Sequence, residues 1–261
     1  MMALELYEMI SKRKSVRKYG VAPLNIKEIS EILDFAGKAE PLYKEIKTKI
    51  EVVSRENVNV FLPVISPHYI MMTSEDREGY LENAGFILQQ IDLFLSSKGF
   101  GSCYVGMALP SKKAMQISKL KFVIFLAFGS PAEPVHRTDL SQFKRKDLAD
   151  IIEIPEHMED IDSFDALTDM LENVRLAPSA TNSQPWFLVP AKDKLDFYCV
   201  KLGIIKSIGY RKMNKIDMGI ALCHCALSSA HSCKTYKFVC DYQARAQCPK
   251  DYYYTGSIVF K

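Results

Sequence analysis

Apolar residues recur at helical spacing in five stretches of the chain. Leu6, Met9 and Ile10 share one face of a helix predicted over Leu4–Arg13. Asn25 followed by Glu28 has the form of a capping box and opens a helix through Ile29, Ile32, Leu33 and Ala36, ending near Pro41. The strongest helical pattern runs from Glu78 to Lys98, where Ala84, Ile87, Leu88, Ile91, Phe94 and Leu95 recur at intervals of three and four. Gly85 inside it costs about 1 kcal/mol relative to alanine, which points to close packing against another backbone. Lys98-Gly99 supplies a basic last turn and a glycine cap. Further helices are predicted over Ser163–Leu176 and about Lys215–Ser232.

The strand pattern fills the intervals. Lys49–Val53, Val58–Leu62 and His68–Met72 are short and punctuated by Pro63 and Pro67. Lys121–Phe128 is apolar without alternation, as a strand buried on both faces must be. Trp186–Pro190, Leu195–Val200, Tyr236–Asp241 and Gly256–Phe260 complete the set. Residues 131–160 are rich in charge and proline, and an internal boundary is placed there, giving halves 1–150 and 151–261. Both halves read as helix, proline-containing turn, strands, long glycine-bearing helix, strand. Pairing Pro41 with Pro178 and Gly85 with Gly219 gives offsets of 137 and 134, so the two registers nearly coincide. The shared element order argues for an internal repeat better than the few identities do.

Composition narrows the partners. The net charge of +3 is too small for a concentrated nucleic-acid-binding face. The longest apolar run, Phe122–Phe128, falls far short of a bilayer span, and no targeting segment is visible. We therefore expect a cytoplasmic protein with neither nucleic acid nor membrane as partner. The cysteine count is odd, seven, and five of these residues follow position 220, which suits reduced thiols. Cys223-His224-Cys225, with His231 and Cys233, lacks paired zinc-type spacing, and buried thiols on a core helix are expected instead of a metal.

Three segments carry candidate chemistry. Lys12–Lys18 packs five cations into seven residues. In extended backbone Arg13, Ser15 and Arg17 share a face, with guanidinium forks and a hydroxyl suited to a phosphate monoester. A solvated basic turn would have the same composition. Gly99–Gly106 reads as a turn whose glycines let backbone N–H groups approach a ligand; it also suits a plain helix-to-strand connection. Ala177–Trp186 reads as a loop of short polar side chains, Ser179 and Asn182 among them, restrained by Pro178. Trp186, the only tryptophan, is expected to anchor a core.

These segments together resemble the nitroreductase family. Arg13–Tyr19 is similar to its phosphate-binding signature, Ala177–Trp186 to its second signature, and Gly99–Gly106 to the turn beneath the flavin ring. Phe128–Pro134 and Lys144-Arg145-Lys146 resemble its post-strand segment. Ordinary members carry both signatures in one subunit and form intertwined homodimers. Here the basic motif lies in the first half and the Pro-Ser loop in the second. Pro41-Leu42-Tyr43 stands where the first half would carry Ser and Asn, and Cys233-Lys234 where the second would carry the glycine turn. This resembles a single-chain, pseudo-duplicated branch of the family.

The resemblance implies an α+β fold, the nitroreductase-like three-layer α/β/α sandwich, with two degenerate halves forming an intramolecular pseudo-dimer. It implies one FMN, with Arg13, Lys14, Ser15 and Arg17 on its phosphate and Arg145 or Lys146 assisting. Tyr104, Val105 and Gly106 would face the ring, and Pro178, Ser179, Ala180 and Asn182 would reach it from the other half. The implied activity is hydride transfer from NADH or NADPH to flavin N5, then reduction of a nitroaromatic, quinone or similar small-molecule acceptor. No side-chain acid or base is required. Relatives also perform flavin-dependent dehalogenation, azoline oxidation and flavin fragmentation; a flavin-holding or partner-binding protein without turnover is the alternative from another class. The expected assembly is a monomer or a weak homodimer.

Overall fold

The computed structural model describes residues 2–61, 63–154, 164–191, 193–232 and 234–260. The fold is mixed α and β, in two compact units. One is Ser11–Gln142; the other is Met1–Ile10 together with Phe143–Lys261. The division falls at 142 rather than 150, and the first helix groups with the carboxy-terminal half. Neither feature follows from local composition, because both depend on where distant segments pack.

In the unit Ser11–Gln142, helix α2 (Ile26–Ala36) begins with the capping box read from the sequence: Glu28 N–H donates to the Asn25 side chain and Asn25 N–H to the Glu28 carboxylate. Strands β1 (Thr48–Ser54), β3 (His68–Ser74), β4 (Gly101–Val105) and β6 (Lys121–Gly129) form an antiparallel sheet in the order β1-β3-β6-β4. The short strands β2 (Val58–Val60) and β5 (Ala108–Pro110) pair separately, and helix α4 (Lys112–Met115) follows. Helix α3 (Tyr80–Ser97) packs on β3, β4 and β6.

Strand alternation divides the buried side chains of this sheet. Val53, Tyr69, Met71, Cys103, Val105, Phe125 and Ala127 join Val58 and Ala108 in one core cluster. Ile70, Met72 and Leu126, at the intervening positions, are equally buried. Both faces of β3 and β6 are thus covered, which is why those strands are apolar without alternation.

In the second unit, α1 (Met2–Ile10), α5 (Phe164–Arg175) and α6 (Ile204–His231) pack together. Strands β7 (Trp186–Ala191), β8 (Lys194–Val200), β9 (Tyr236–Val239) and β10 (Tyr252–Phe260) form an antiparallel sheet in the order β7-β8-β10-β9. The remaining helix, α7 (Tyr242–Ala246), is capped by Asp241. Ser163 and Cys233 lie outside the described residues.

Taken in chain order, the four strands of each main sheet are arranged first, second, fourth, third, with a long helix between the second and third. The same connectivity arises twice from sequences that share almost no identities.

Several expectations change. The first helix stops at Ile10, so Arg13 lies in extended chain. Gly99–Gly106 is not a turn: residues 101–105 form β4, paired with β6 from Gly101↔Gly129 to Val105↔Phe125. Only this distant pairing decides it. α6 begins at Ile204, about three turns before the predicted start.

Candidate cofactor-binding segments

The basic segment 12–20 is held on both sides. Along one side Ser15 bridges Ser102 of β4, and Val16 N–H donates to the Ser102 carbonyl at 2.9 Å. Along the other, Arg13 bridges His136, Arg137 N–H donates to the Lys12 carbonyl, and Ala132 N–H to the Lys18 carbonyl. Val16 is fully buried and sits against Gly101; a Cβ on that glycine would lie 2.7 Å from Val16 Cγ1. Glycine at 101 therefore lets the segment approach the strand edge.

Arg13 is 1 % exposed, and its Nε lies 3.0 Å from Asp92 Oδ2 on α3, a carboxylate that is itself fully buried. Its Nη2 donates to Ser15 Oγ at 3.3 Å, so residues 13 and 15 share a face as expected. Ser102 donates to the other Asp92 oxygen. Arg17 is exposed; its Nη1 lies 3.5 Å from the Ser15 carbonyl and its backbone N–H donates to Glu133. Lys14 points to Glu133 as well, at 4.0 Å. The Arg17 N–H and then Lys14 hold the Glu133 carboxyl below its usual range.

A third guanidinium joins this cluster from a distance no motif shows. Arg137 donates to the Arg13 carbonyl. Burial, and next the neighbouring Arg13 and Arg17 charges, push its pKa down to about 10, against a smaller opposing pull from Asp92. Arg13 thus meets the Ser15 hydroxyl, Arg17 the Ser15 carbonyl and Arg137 the Arg13 carbonyl, with the buried Asp92 carboxylate paired to Arg13. Asp92 had a signal in the sequence: a carboxylate four residues after Leu88 and three before Leu95, on an apolar helical face. Arg137 had none.

Downstream, Tyr104 and Ser102 project from β4 toward α3, where Tyr104 Oη donates to Gln89 Oε1 at 3.2 Å. Val105 does not share that face. Its side chain is in the core cluster, because adjacent residues of a strand point to opposite sides. Only its backbone is left for a ligand, while Gly106 is exposed.

In the second unit, Ala177–Trp186 is a tight turn knotted by its own polar groups. Pro178 is buried, Ser179 and Ala180 are half-buried and Asn182 is exposed. Ser179 Oγ accepts from Gln184 N–H at 2.9 Å. Thr181, Asn182 and Gln184 take left-handed backbone, with φ of 53°, 58° and 49°. For the β-branched Thr181 this is strained.

Arg145 and Lys146 brace this turn. Arg145 Nη1 donates to Asn182 Oδ1 and the Phe143 carbonyl, and Nη2 donates to the Leu176 carbonyl at 3.1 Å. Asn182 Nδ2 donates to the Lys144 carbonyl at 2.9 Å. Lys146 N–H donates to Gln184 Oε1 and its Nζ to the Gln184 carbonyl. Arg145 and Lys146, expected to assist the phosphate, donate here to Asn182, Gln184, Phe143 and Leu176, while Arg137 is a further late cation beside Arg13. From below, Asp217 of α6 accepts the Ala180 N–H at 3.1 Å. Burial drives the Asp217 pKa up to about 8, and this N–H offsets only part of that. Neither Gln184 nor Asp217 stands out in the sequence as a support of the turn.

Among the described residues no group of three His, Cys, Asp or Glu is placed to hold a metal ion. Cys223, His224 and Cys225 are buried on α6, and His224 Nδ1 lies 2.8 Å from the Asn173 carbonyl. Cys233, which entered the metal reading, lies outside the described residues. No described helix is long and apolar enough to cross a membrane.

The mixed fold with these segments is that of the nitroreductases. A family model described as "Putative TM nitroreductase" matches residues 5–229, and the chain belongs to that family. Among solved structures, a Thermotoga maritima protein with a nitroreductase description superposes with a TM-score of 0.67 at 21% identity, covering 98% of this chain and 92% of its own. An FMN-dependent nitroreductase of Clostridium difficile gives 0.41 at 18% identity, over 52% of this chain and 93% of its own. A nitroreductase family protein of Clostridium novyi gives 0.41 at 22%, over 49% and 86%. No curated protein matches the chain.

Proposed function

We propose that the chain binds one FMN and acts as an oxidoreductase between NADH or NADPH and a small electron acceptor such as a nitroaromatic or quinone. The observation that carries this is the gathering of three guanidinium groups on one short segment: Arg13 and Arg17 on Ser15, and Arg137 on the Arg13 carbonyl. Burial first, and then repulsion from Arg13 and Arg17, lowers the Arg137 pKa. A phosphate monoester, with nearly two negative charges and three acceptor oxygens, relieves that repulsion and meets the available donors. The residues present fit the group. Family membership supports the flavin reading independently.

When bound, FMN supplies the two-electron redox chemistry. The protein's part is positional. Asp92 pairs electrostatically with the Arg13 guanidinium at Nε, and Nη2 donates to Ser15 Oγ. Ser15 Oγ and the Arg17 side chain offer further donors to the phosphate. Tyr104 and the exposed backbone at Gly106 are assigned to the ring. The resemblance also assigns to the flavin the turn at Pro178, Ser179, Ala180 and Asn182, which within its own unit is braced by Arg145, Lys146 and Asp217. In that turn Ser183 Oγ and Trp186 Nε1 are buried and lack a partner among the described residues, which leaves donors available to a ligand or to water. The matching strand order of the two sheets supports an origin by duplication, with each half retaining the segment that the other has lost.

The absorption spectrum of the purified protein tests the reading. A flavin spectrum bleached by NADH or NADPH and restored by a quinone is expected. Arg17→Ala and Arg137→Ala should each weaken FMN binding by about 1.5–3 kcal/mol, roughly 10- to 150-fold in Kd. A colourless protein that takes up no added FMN refutes the proposal. Bound FMN that neither nucleotide reduces would leave a flavin-holding protein without turnover.

A further inference from the structure

We propose that the face carried by β2, β5 and α4 associates with the surface of an anionic lipid bilayer. The ribbon formed by β2 and β5 is amphipathic in an unusual sense. Val58, Ala108 and Pro110 are buried. On the outward side Asn59 pairs with Leu109, and Phe61 N–H donates to the Met107 carbonyl, so Phe61, Met107 and Leu109 share one face. Outward positions of a half-buried ribbon are ordinarily polar. Here Phe61 is 63% exposed, Met107 58% and Leu109 54%. Helix α4, which packs on β5, adds Met115 at 63%, and Ile117 follows it. Large exposed apolar side chains gathered in this way mark an interaction surface.

The charge around the patch selects the occupant. From residue 93 to residue 132 the chain contains no Asp or Glu, yet it has five lysines, of which Lys112, Lys113 and Lys119 flank the patch and are exposed. Glu56 on the adjoining turn is faced by Lys113, and Glu51 of β1 is paired with Lys49. A second copy of the same surface would bring like charges together. Apolar side chains at the level of the acyl boundary, with lysines at the level of anionic headgroups, match the requirements of interfacial binding without a spanning segment. The expectation of no membrane partner rested on a search for long apolar runs. A patch assembled from two strands and a helix leaves no such run. The inference is independent of the flavin reading.

The test is co-sedimentation of the full chain with vesicles of phosphatidylglycerol and phosphatidylcholine in equal parts, and with pure phosphatidylcholine. Binding to the mixed vesicles is expected, with at least tenfold less to phosphatidylcholine and a sharp loss in high salt. The double variants Phe61→Ser/Leu109→Ser and Lys112→Glu/Lys113→Glu alter only exposed side chains, and each should reduce binding at least tenfold. Failure to sediment, equal binding to both vesicle types, or binding unchanged in both variants overturns the proposal. A concentration-dependent dimer abolished by Phe61→Ser/Leu109→Ser, without vesicle binding, would assign the face to a second copy instead.

Discussion

Replacing Asp217 by asparagine should stabilise the protein, and the gain should grow with pH. Asp217 is buried on α6 and accepts the Ala180 N–H; asparagine keeps the shape and an acceptor for that donor but carries no charge. Burial raises the carboxyl from its ordinary 3.8 to about 8. Below the lower value both folded and unfolded chains hold the proton, and the site adds no pH dependence. Between the two values the unfolded chain has released its proton while the folded chain keeps it, so stability falls as pH rises. Above about 8 both forms are ionised and the loss is complete. At about 1.4 kcal/mol per unit, the wild-type loss reaches about 4 kcal/mol at pH 7 and approaches about 6 kcal/mol at pH 9. Urea unfolding of wild type and Asp217→Asn, followed by the fluorescence of Trp186 on β7 of the same unit, measures the difference. The two proteins should coincide near pH 4 and separate steadily through neutrality. A difference that is flat with pH, or that opens toward acid, refutes the reasoning.

Three further substitutions probe the same architecture. Asp92→Asn leaves the Arg13 guanidinium buried without its carboxylate; a loss of about 3–5 kcal/mol is expected, and an unchanged melting temperature would show that the pair is dispensable. Gly101→Ala pushes a methyl group against Val16, on the segment that carries Ser15; it should cost about 1–3 kcal/mol and weaken FMN retention, and full affinity would argue against a tight fit there. Thr181→Asn places a residue tolerant of left-handed backbone at an exposed, strained position and should raise the urea midpoint by the equivalent of about 0.5–1 kcal/mol; a lowered midpoint would show that the strain is not relieved.

What could be read from the sequence was what is decided locally or by periodicity. The Asn25 capping box, the long helix at 80–97 and the unbroken apolar strand at 121–129 each carry their own evidence within a few residues. Gly101–Val105 was legible as a glycine-rich segment but not as a strand, since its hydrogen bonds go to residues some 24 positions later. Mistaking it for a turn also hid the alternation that sends Tyr104 and Val105 to opposite faces. The site divides the same way. Arg13 and Ser15 announce themselves as a motif, whereas Arg137 meets Arg13 across 124 residues and Asp217 meets Ala180 across 37, with nothing periodic to connect them. The family resemblance supplied the segments; the supports of those segments came only with the fold.

The opening ten residues deserve a practical reading. Tyr7 stacks on His231 with ring centroids 3.8 Å apart and donates to Asp169, while Leu6, Met9 and Ile10 are buried. Deleting α1 therefore disturbs the hydrophobic contacts of α6, whose His231 lies more than two hundred positions from Tyr7, before it disturbs the neighbouring basic segment. Anyone seeking to express the halves separately should cut after residue 142 and restore α1 to the later fragment, since residues 143–261 alone would leave a greasy stripe bare.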